Sequence, residues 1–350
     1  MAEPAKKSDI GNTGSNVVAL HAAAANLGEE ATFPLNETFG FQGVFGDLLK
    51  VKGYANPSVF TPRAVEGFPH DPDFIRFMLI ARRNKLSAYV HGLHGSRKTE
   101  SILQFCRALN LPVQTIQCHR DTMVDDMIGQ MLPHPAGGAY WVDGPLTLAA
   151  RYGHVLFVNE RPMLKPGVSA FLNNVLEGRP LVLNANGGEI VPLHPNFWVV
   201  ADGNTIAGDM TGDYSGQYQE NRATASRYVY FAMHQQPEDL EVSVLSSAVP
   251  GIPTDIVKQV VGFARKVRDL HAGTNLDATL SMREMIQWLK FMVDGQRFGI
   301  TTDPLEYGFR HAHFVAQSYA DRVSLADQFR LIFGKEIDPG VRPSDGSGNA

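Results

Sequence analysis

Between residues 72 and 204 the chain alternates short, wholly apolar runs with stretches in which apolar side chains recur every three or four positions. The second spacing places side chains on one face of a helix, whereas a continuous apolar run of four to eight residues suits a strand buried on both faces. Phe74, Phe77, Met78, Ile80 and Ala81 predict an amphipathic helix that ends near Arg82, Arg83 and Lys85. Ser87 to His91 reads as a strand, a glycine-rich turn follows, and Ile102, Leu103, Phe105, Cys106 and Leu109 predict the next helix. Val113 to Cys118 is the next strand, helical patterns lie around Val124 to Met131 and Leu146 to Tyr152, and His154 to Val158 is a third apolar run. After a helix from Val168 to Leu176, Leu181–Leu183 and Glu189–Leu193 flank Asn186-Gly187-Gly188, whose tolerance of positive φ predicts a β-hairpin. Phe197 to Ala201 is a further buried strand. This order predicts an α/β fold, a three-layer αβα core around a parallel sheet with a β-hairpin insert.

Beyond Pro253 the pattern becomes helical. Ile256, Val257, Val260, Val261, Phe263, Ala264, Val267 and Leu270 form one stripe; Met285, Ile286, Leu289 and Met292 a second; Phe309, His313, Ala316 and Tyr319 a third. Arg265, Lys266 and Arg268 read as a solvated helix face. Four segments are therefore expected: a flexible arm over 1–35, an α/β domain over 36–250 with an N-terminal extension to about 73, a small helical lid over 251–336, and a disordered tail over 337–350.

Composition narrows the classes. At 350 residues, with 44% hydrophobic and 19% charged positions, the chain is a folded one with a sizeable core. Its 31 Lys and Arg against 36 Asp and Glu leave a net charge of −5, which argues against a protein built to neutralise nucleic-acid phosphates. Two cysteines, Cys106 and Cys118, exclude a disulfide scaffold and suit a reducing, cytoplasmic location. No signal peptide or membrane-spanning run is read from the sequence.

The chemistry concentrates after the first strand of the core. Gly92-Leu93-His94-Gly95-Ser96-Arg97-Lys98-Thr99 matches a phosphate loop, G-x-x-x-x-G-K-[ST], except that Arg97 stands at the second glycine. In such a loop backbone N–H groups close around the β-phosphate, the lysine reaches the β- and γ-phosphates, and the hydroxyl holds Mg²⁺. If the loop requires positive φ at Arg97, a Cβ there costs roughly 1–2 kcal/mol. The long side chain then either fills phosphate space, points outward, or adds a cation to the phosphate. The strand His154–Val158 runs into Asn159-Glu160, where P-loop ATPases carry an acidic pair, one carboxylate ordering Mg²⁺ and the next polarising water. Glu160 stands at the base position, and Asn159 keeps an oxygen but lacks the charge.

These residues resemble a family. Gly92–Thr99, Asp121–Gly129, Asp143-Gly144-Pro145-Leu146, Val155–Glu160, Asn173–Glu177, His194-Pro195-Asn196-Phe197, and Ala201–Thr205 with Thr211-Gly212 look, in order and spacing, like the MoxR-type AAA+ ATPases of the dynein-related class. Within it the likeness is to the CobS-like cobaltochelatase ATPase subunits, and it extends over about Ser87 to Arg283. The resemblance implies a nucleotide-binding core plus helical lid, ATP and Mg²⁺ as ligands, and hydrolysis coupled to remodelling of a partner protein. It assigns Asn204 to the amide that positions the hydrolytic water. Arg227 becomes the finger that reaches a neighbouring subunit's nucleotide, with Ser226 where the family has aspartate. Arg283 becomes a second cation at the start of a lid helix. A ring, expected to be a hexamer, follows from such a finger, and family members commonly act with a von Willebrand factor A-type partner.

Arg97, Asn159 and Ser226 also motivate a rival reading, a catalytically impaired AAA+ scaffold or assembly protein that binds nucleotide weakly or not at all. A nucleic-acid motor on the same core is a further rival, against which the net charge argues.

Overall fold

The structure is a computed structural model that describes residues 13–92, 95–134, 137–204, 222–273, 276–299 and 303–341. Apart from the short stretch 93–97, one compact unit ends at Met233 and a second begins at His234.

The first unit is built on five parallel strands: β1 (Ser87–His91), β2 (Val113–Gln117), β3 (Val155–Asn159), β4 (Trp198–Gly203) and β5 (Tyr228–Ala232). Their order across the sheet is β5-β1-β4-β3-β2, so consecutive strands are joined by crossovers. Side chains on a strand point alternately to its two faces. Ala88, Val90, Val155, Phe157, Trp198 and Val200 accordingly face one core, with Phe74, Met78, Ile102 and Phe105 of the covering helices α2 (Pro72–Arg83) and α3 (Lys98–Ala108). Tyr89, Leu156, Val158, Val199 and Ala201 face the other, against Leu146 and Ala149 of α4 (Pro145–Tyr152) and Leu172 of α5 (Pro166–Leu176). This is the expected three-layer αβα arrangement. The Asn-Gly-Gly hairpin is present as well, joining Leu181–Leu183 to Glu189–Val191 antiparallel, with Gly187 and Gly188 at φ 65° and 77°.

Two expectations are corrected in this unit. The pattern over Val124–Met131 is helical only to Ile128, because Gly129 turns at φ 121° and opens a hairpin, Gly129–Pro133 with Ala139–Asp143. A Cβ at Gly129 would lie 2.2 Å from the Val142 carbonyl oxygen, so only glycine admits this approach. The segment expected to be an arm contains α1 (Thr13–Ala25), whose alanine run is a strong helix former despite its weak amphipathicity. The Ala24 methyl is buried, and the Ala24 carbonyl accepts from His154 Nε2 at 2.9 Å. Residues Glu30–Pro34 also pair antiparallel with Lys50–Tyr54.

The second unit contains α6 (Glu238–Ala248), α7 (Thr254–Ala272), α8 (Met282–Arg297), α9 (Pro304–Ala312) and α10 (Tyr319–Phe333). Its core is aromatic: Phe263, Trp288, Phe309 and Phe329 are fully buried, with the Trp288 and Phe309 rings 4.7 Å apart. The third stripe is not one helix. His313, at φ −144°, breaks it, and its Nδ1 lies 2.8 Å from Glu284 Oε1. The solvated face is corrected too: Arg265 and Arg268 donate to the two carboxylate oxygens of buried Glu241 at 3.0 and 2.7 Å. Among the described residues no helix is long and apolar enough to cross a membrane.

Candidate functional site

The predicted loop follows β1 and ends where α3 begins, so the first free amides of that helix lie at Lys98 and Thr99. Leu93 and His94 lie outside the described residues. Gly95 is at φ 75° and Arg97 at φ 65°. Arg97 therefore takes the left-handed conformation for which the phosphate-loop pattern reserves glycine. The strain expected of a Cβ is accepted at this position. The Ser96 hydroxyl is buried and has no hydrogen-bond partner among the described residues, an orphaned polar atom that an incoming oxyanion would satisfy.

Lys98 is only 6% exposed. Its Nζ donates to the Gly92 carbonyl and to Asn204 Oδ1, both at 2.8 Å, and burial lowers its pKa from the ordinary lysine value. An amine held between oxygen acceptors, short of water, is ready to exchange one of them for a phosphate oxygen. The structure thus brings Asn204, 106 residues away in sequence, to the loop lysine.

Thr99 Oγ1 donates to Asp202 Oδ2 at 2.7 Å and lies 3.4 Å from Asn159 Oδ1. Asp202 is the residue that sequence reasoning missed. It is 1% exposed, and burial raises its carboxyl to about 6. Its other oxygen, Oδ1, accepts the Glu160 N–H at 2.8 Å. Glu160, directly after β3, is itself left-handed at φ 55°, a conformation that non-glycine residues adopt mainly at functional turns. The turn after it is pinned by Arg161, buried with its guanidinium 4.5 Å from the Tyr228 ring centroid. Gly203 lets β4 pass close to its neighbours here, since a Cβ would meet the Tyr89 hydroxyl at 2.3 Å and Pro162 at 2.6 Å.

One hydroxyl, one amide oxygen and one carboxylate converge beside the loop lysine. Hard oxygen donors in this number suit Mg²⁺, which keeps several waters and takes its remaining ligands from phosphate. Among the described residues no three of His, Cys, Asp or Glu gather as a metal cage, so a site of the shared kind is the one these residues fit.

Two predicted arginines remain. Arg227 Nε donates to Glu177 Oε1 at 2.9 Å, and its guanidinium also reaches the Ala223 carbonyl. That hydrogen bond with Arg227 holds the Glu177 carboxyl below its usual range. Arg283 is exposed in the first turn of α8, in the second unit, behind a capping box in which Ser281 and Glu284 exchange hydrogen bonds at 2.7 and 3.3 Å.

Comparison with known proteins agrees with this architecture. Residues 89–249 match the AAA domain of the dynein-related subfamily, and residues 241–301 match the CbbQ/NirQ/NorQ C-terminal domain. The aerobic cobaltochelatase subunit CobS of Sinorhizobium sp is 24% identical over 317 residues, covering 88% of this chain and 92% of that protein. Protein NorQ of Paracoccus denitrificans is 27% identical over 210 residues, 59% of this chain and 73% of its own length. The von Willebrand factor A domain-containing protein 8 of Mus musculus is 25% identical over 235 residues, 61% of this chain but 12% of that larger protein. Over residues 89–301 the chain thus carries a dynein-related AAA domain followed by a CbbQ/NirQ/NorQ C-terminal domain, as an AAA+ ATPase of the MoxR type.

Proposed function

We propose that this protein binds ATP with Mg²⁺ and hydrolyses it to remodel a partner protein, working as a ring of its own copies. The observation that carries this reading is Arg97 at φ 65°: this position accepts a side chain in the left-handed conformation, and Lys98 and Thr99 still open α3. Lys98 Nζ exchanges the Gly92 carbonyl or the Asn204 amide oxygen for phosphate oxygens. Mg²⁺, when bound, offsets charge on the β- and γ-phosphates. Thr99 and Asn159 offer it oxygen, directly or through water. Glu160, held by its own N–H to Asp202, accepts the proton of the attacking water, and the Asn204 amide orients that water. Arg227 exchanges Glu177 for the γ-phosphate of a neighbouring copy, and Arg283 offsets developing charge in its own subunit. Hexameric assembly and a von Willebrand factor A-type partner are part of the proposal, supported by the relative that joins such a domain to a similar ATPase segment.

Asn159 favours a second reading, a catalytically impaired scaffold or assembly protein that binds nucleotide weakly or not at all. Titration with a fluorescent ATP analogue in Mg²⁺, with Lys98→Ala as control, followed by phosphate-release measurements, separates the two. Saturable binding lost in the control, together with steady turnover lost in Glu160→Gln, supports the ATPase. Binding without turnover, or no binding, supports the scaffold and overturns the ATPase.

A further inference from the structure

The acidic position that normally follows the buried strand of such a core is neutral here. Asn159 ends β3, and an amide oxygen cannot supply the charge that orders a divalent cation. The neighbouring strand supplies a carboxylate instead. Ala201 of β4 lies in parallel register with Val158 of β3, so the next residues along the two strands, Asp202 and Asn159, lie side by side with their side chains on the same face of the sheet. Both reach the same hydroxyl, Asp202 at 2.7 Å and Asn159 at 3.4 Å from Thr99 Oγ1. Because a carboxylate oxygen can only accept, the Thr99 proton points to Asp202, and the hydroxyl lone pairs are left for a cation.

We propose that Asp202 is the metal-ordering carboxylate of this site, the acid having moved one strand across the sheet from β3 to β4. Two further observations fit. Asp202 is almost wholly buried, and a buried carboxylate is retained where something compensates its charge. It also fixes the base-bearing turn through Glu160 N–H, so one side chain ties the cation's place to that of the proposed base. The chain has then not lost the charge of the acidic pair; it holds it as Glu160 with Asp202 rather than at consecutive positions.

This inference rests on the nucleotide-binding reading, and its test separates the two. The affinity of a fluorescent ATP analogue is measured with and without Mg²⁺ for the parent, Asp202→Asn, and the exchange variant Asn159→Asp/Asp202→Asn. Mn²⁺ in the ternary complex is followed by electron paramagnetic resonance, which reads the cation without turnover. The parent is expected to bind about tenfold or more tightly with Mg²⁺ than without it, as charge-assisted contacts would give. Asp202→Asn is expected to lose most of that ratio while keeping its metal-free affinity, and the exchange variant to recover it together with the bound Mn²⁺ signal. An unchanged Mg²⁺ ratio in Asp202→Asn overturns this inference and leaves nucleotide binding standing. Failure of the parent to bind overturns both. Should Asp202→Asn fail to fold, the exchange variant decides, since a folded exchange variant with no Mg²⁺ effect overturns the proposal.

Discussion

The two units solve opposite problems with the same chain. The helical unit buries Phe263, Trp288, Phe309 and Phe329 against one another, and Trp288 Nε1 finds the Leu305 carbonyl at 2.8 Å. The C-terminal edge of the parallel sheet instead buries Lys98, Asp202 and Asn204, and holds Arg97 and Glu160 at positive φ. One region gains stability from every contact, while the other holds strain and buried polar groups that only a ligand uses fully. The difference shows where stability and function have been separated in this molecule, and substitutions in the two regions should fail in different ways.

The largest effect is expected in the aromatic core. Trp288→Ala removes a fully buried indole and its hydrogen bond, and should lower stability by about 3–5 kcal/mol, read as loss of the helical unit's unfolding transition in calorimetry. Lys98→Ala should leave melting nearly unchanged yet weaken nucleotide binding by about 10–100-fold, the worth of a charge-assisted contact. A large melting shift from Lys98→Ala would break the proposed separation. Gly203→Ala tests both at once: it drives a methyl into Tyr89 and Pro162, should cost about 1–3 kcal/mol, and should displace Asp202 and Asn204, so stability and binding fall together.

The smallest effect is a pH dependence. His154 is buried, accepts from Gln114 Nε2 at Nδ1 and donates from Nε2 to Ala24, which fixes a neutral tautomer. Burial lowers its pKa from 6.5, and His194 adds to the shift. The stability it contributes is therefore complete above its unfolded pKa and falls as pH drops through the lower folded value. Hydrogen exchange in α1 should accelerate on acidification, and His154→Gln should flatten that dependence.

Most of the sheet was legible because a doubly buried strand announces itself as an apolar run, as Ser87–His91 and the residues after His154 do. Lys98 and Asn204 could be named because each sits in a recognisable local sequence. Asp202 could not, since a lone acid after a buried strand has no local signature and its partner Thr99 is 103 residues away. The same blindness hid Glu241, which takes Arg265 and Arg268 off the surface. α1 escaped for a different reason: it docks through the Ala24 carbonyl and methyl and through His21 hydrogen-bonded to Tyr152, which leave almost no periodic signal. Gly129 shows the converse, one residue turning a helical pattern into a strand by its backbone alone.

The docking of α1 bears on what can be inherited or transplanted as a module. The AAA match begins at residue 89, yet His154 finds its acceptor at Ala24, Asn110 Nδ2 finds one at the Tyr54 carbonyl, and Trp198 Nε1 finds one at Leu86. A chimera spliced at the family boundary would cut through three hydrogen bonds, two of them buried, and expose the apolar face that α2 covers. The segment matched as the AAA domain is thus shorter than the segment that must travel together, and a workable graft has to begin ahead of α1.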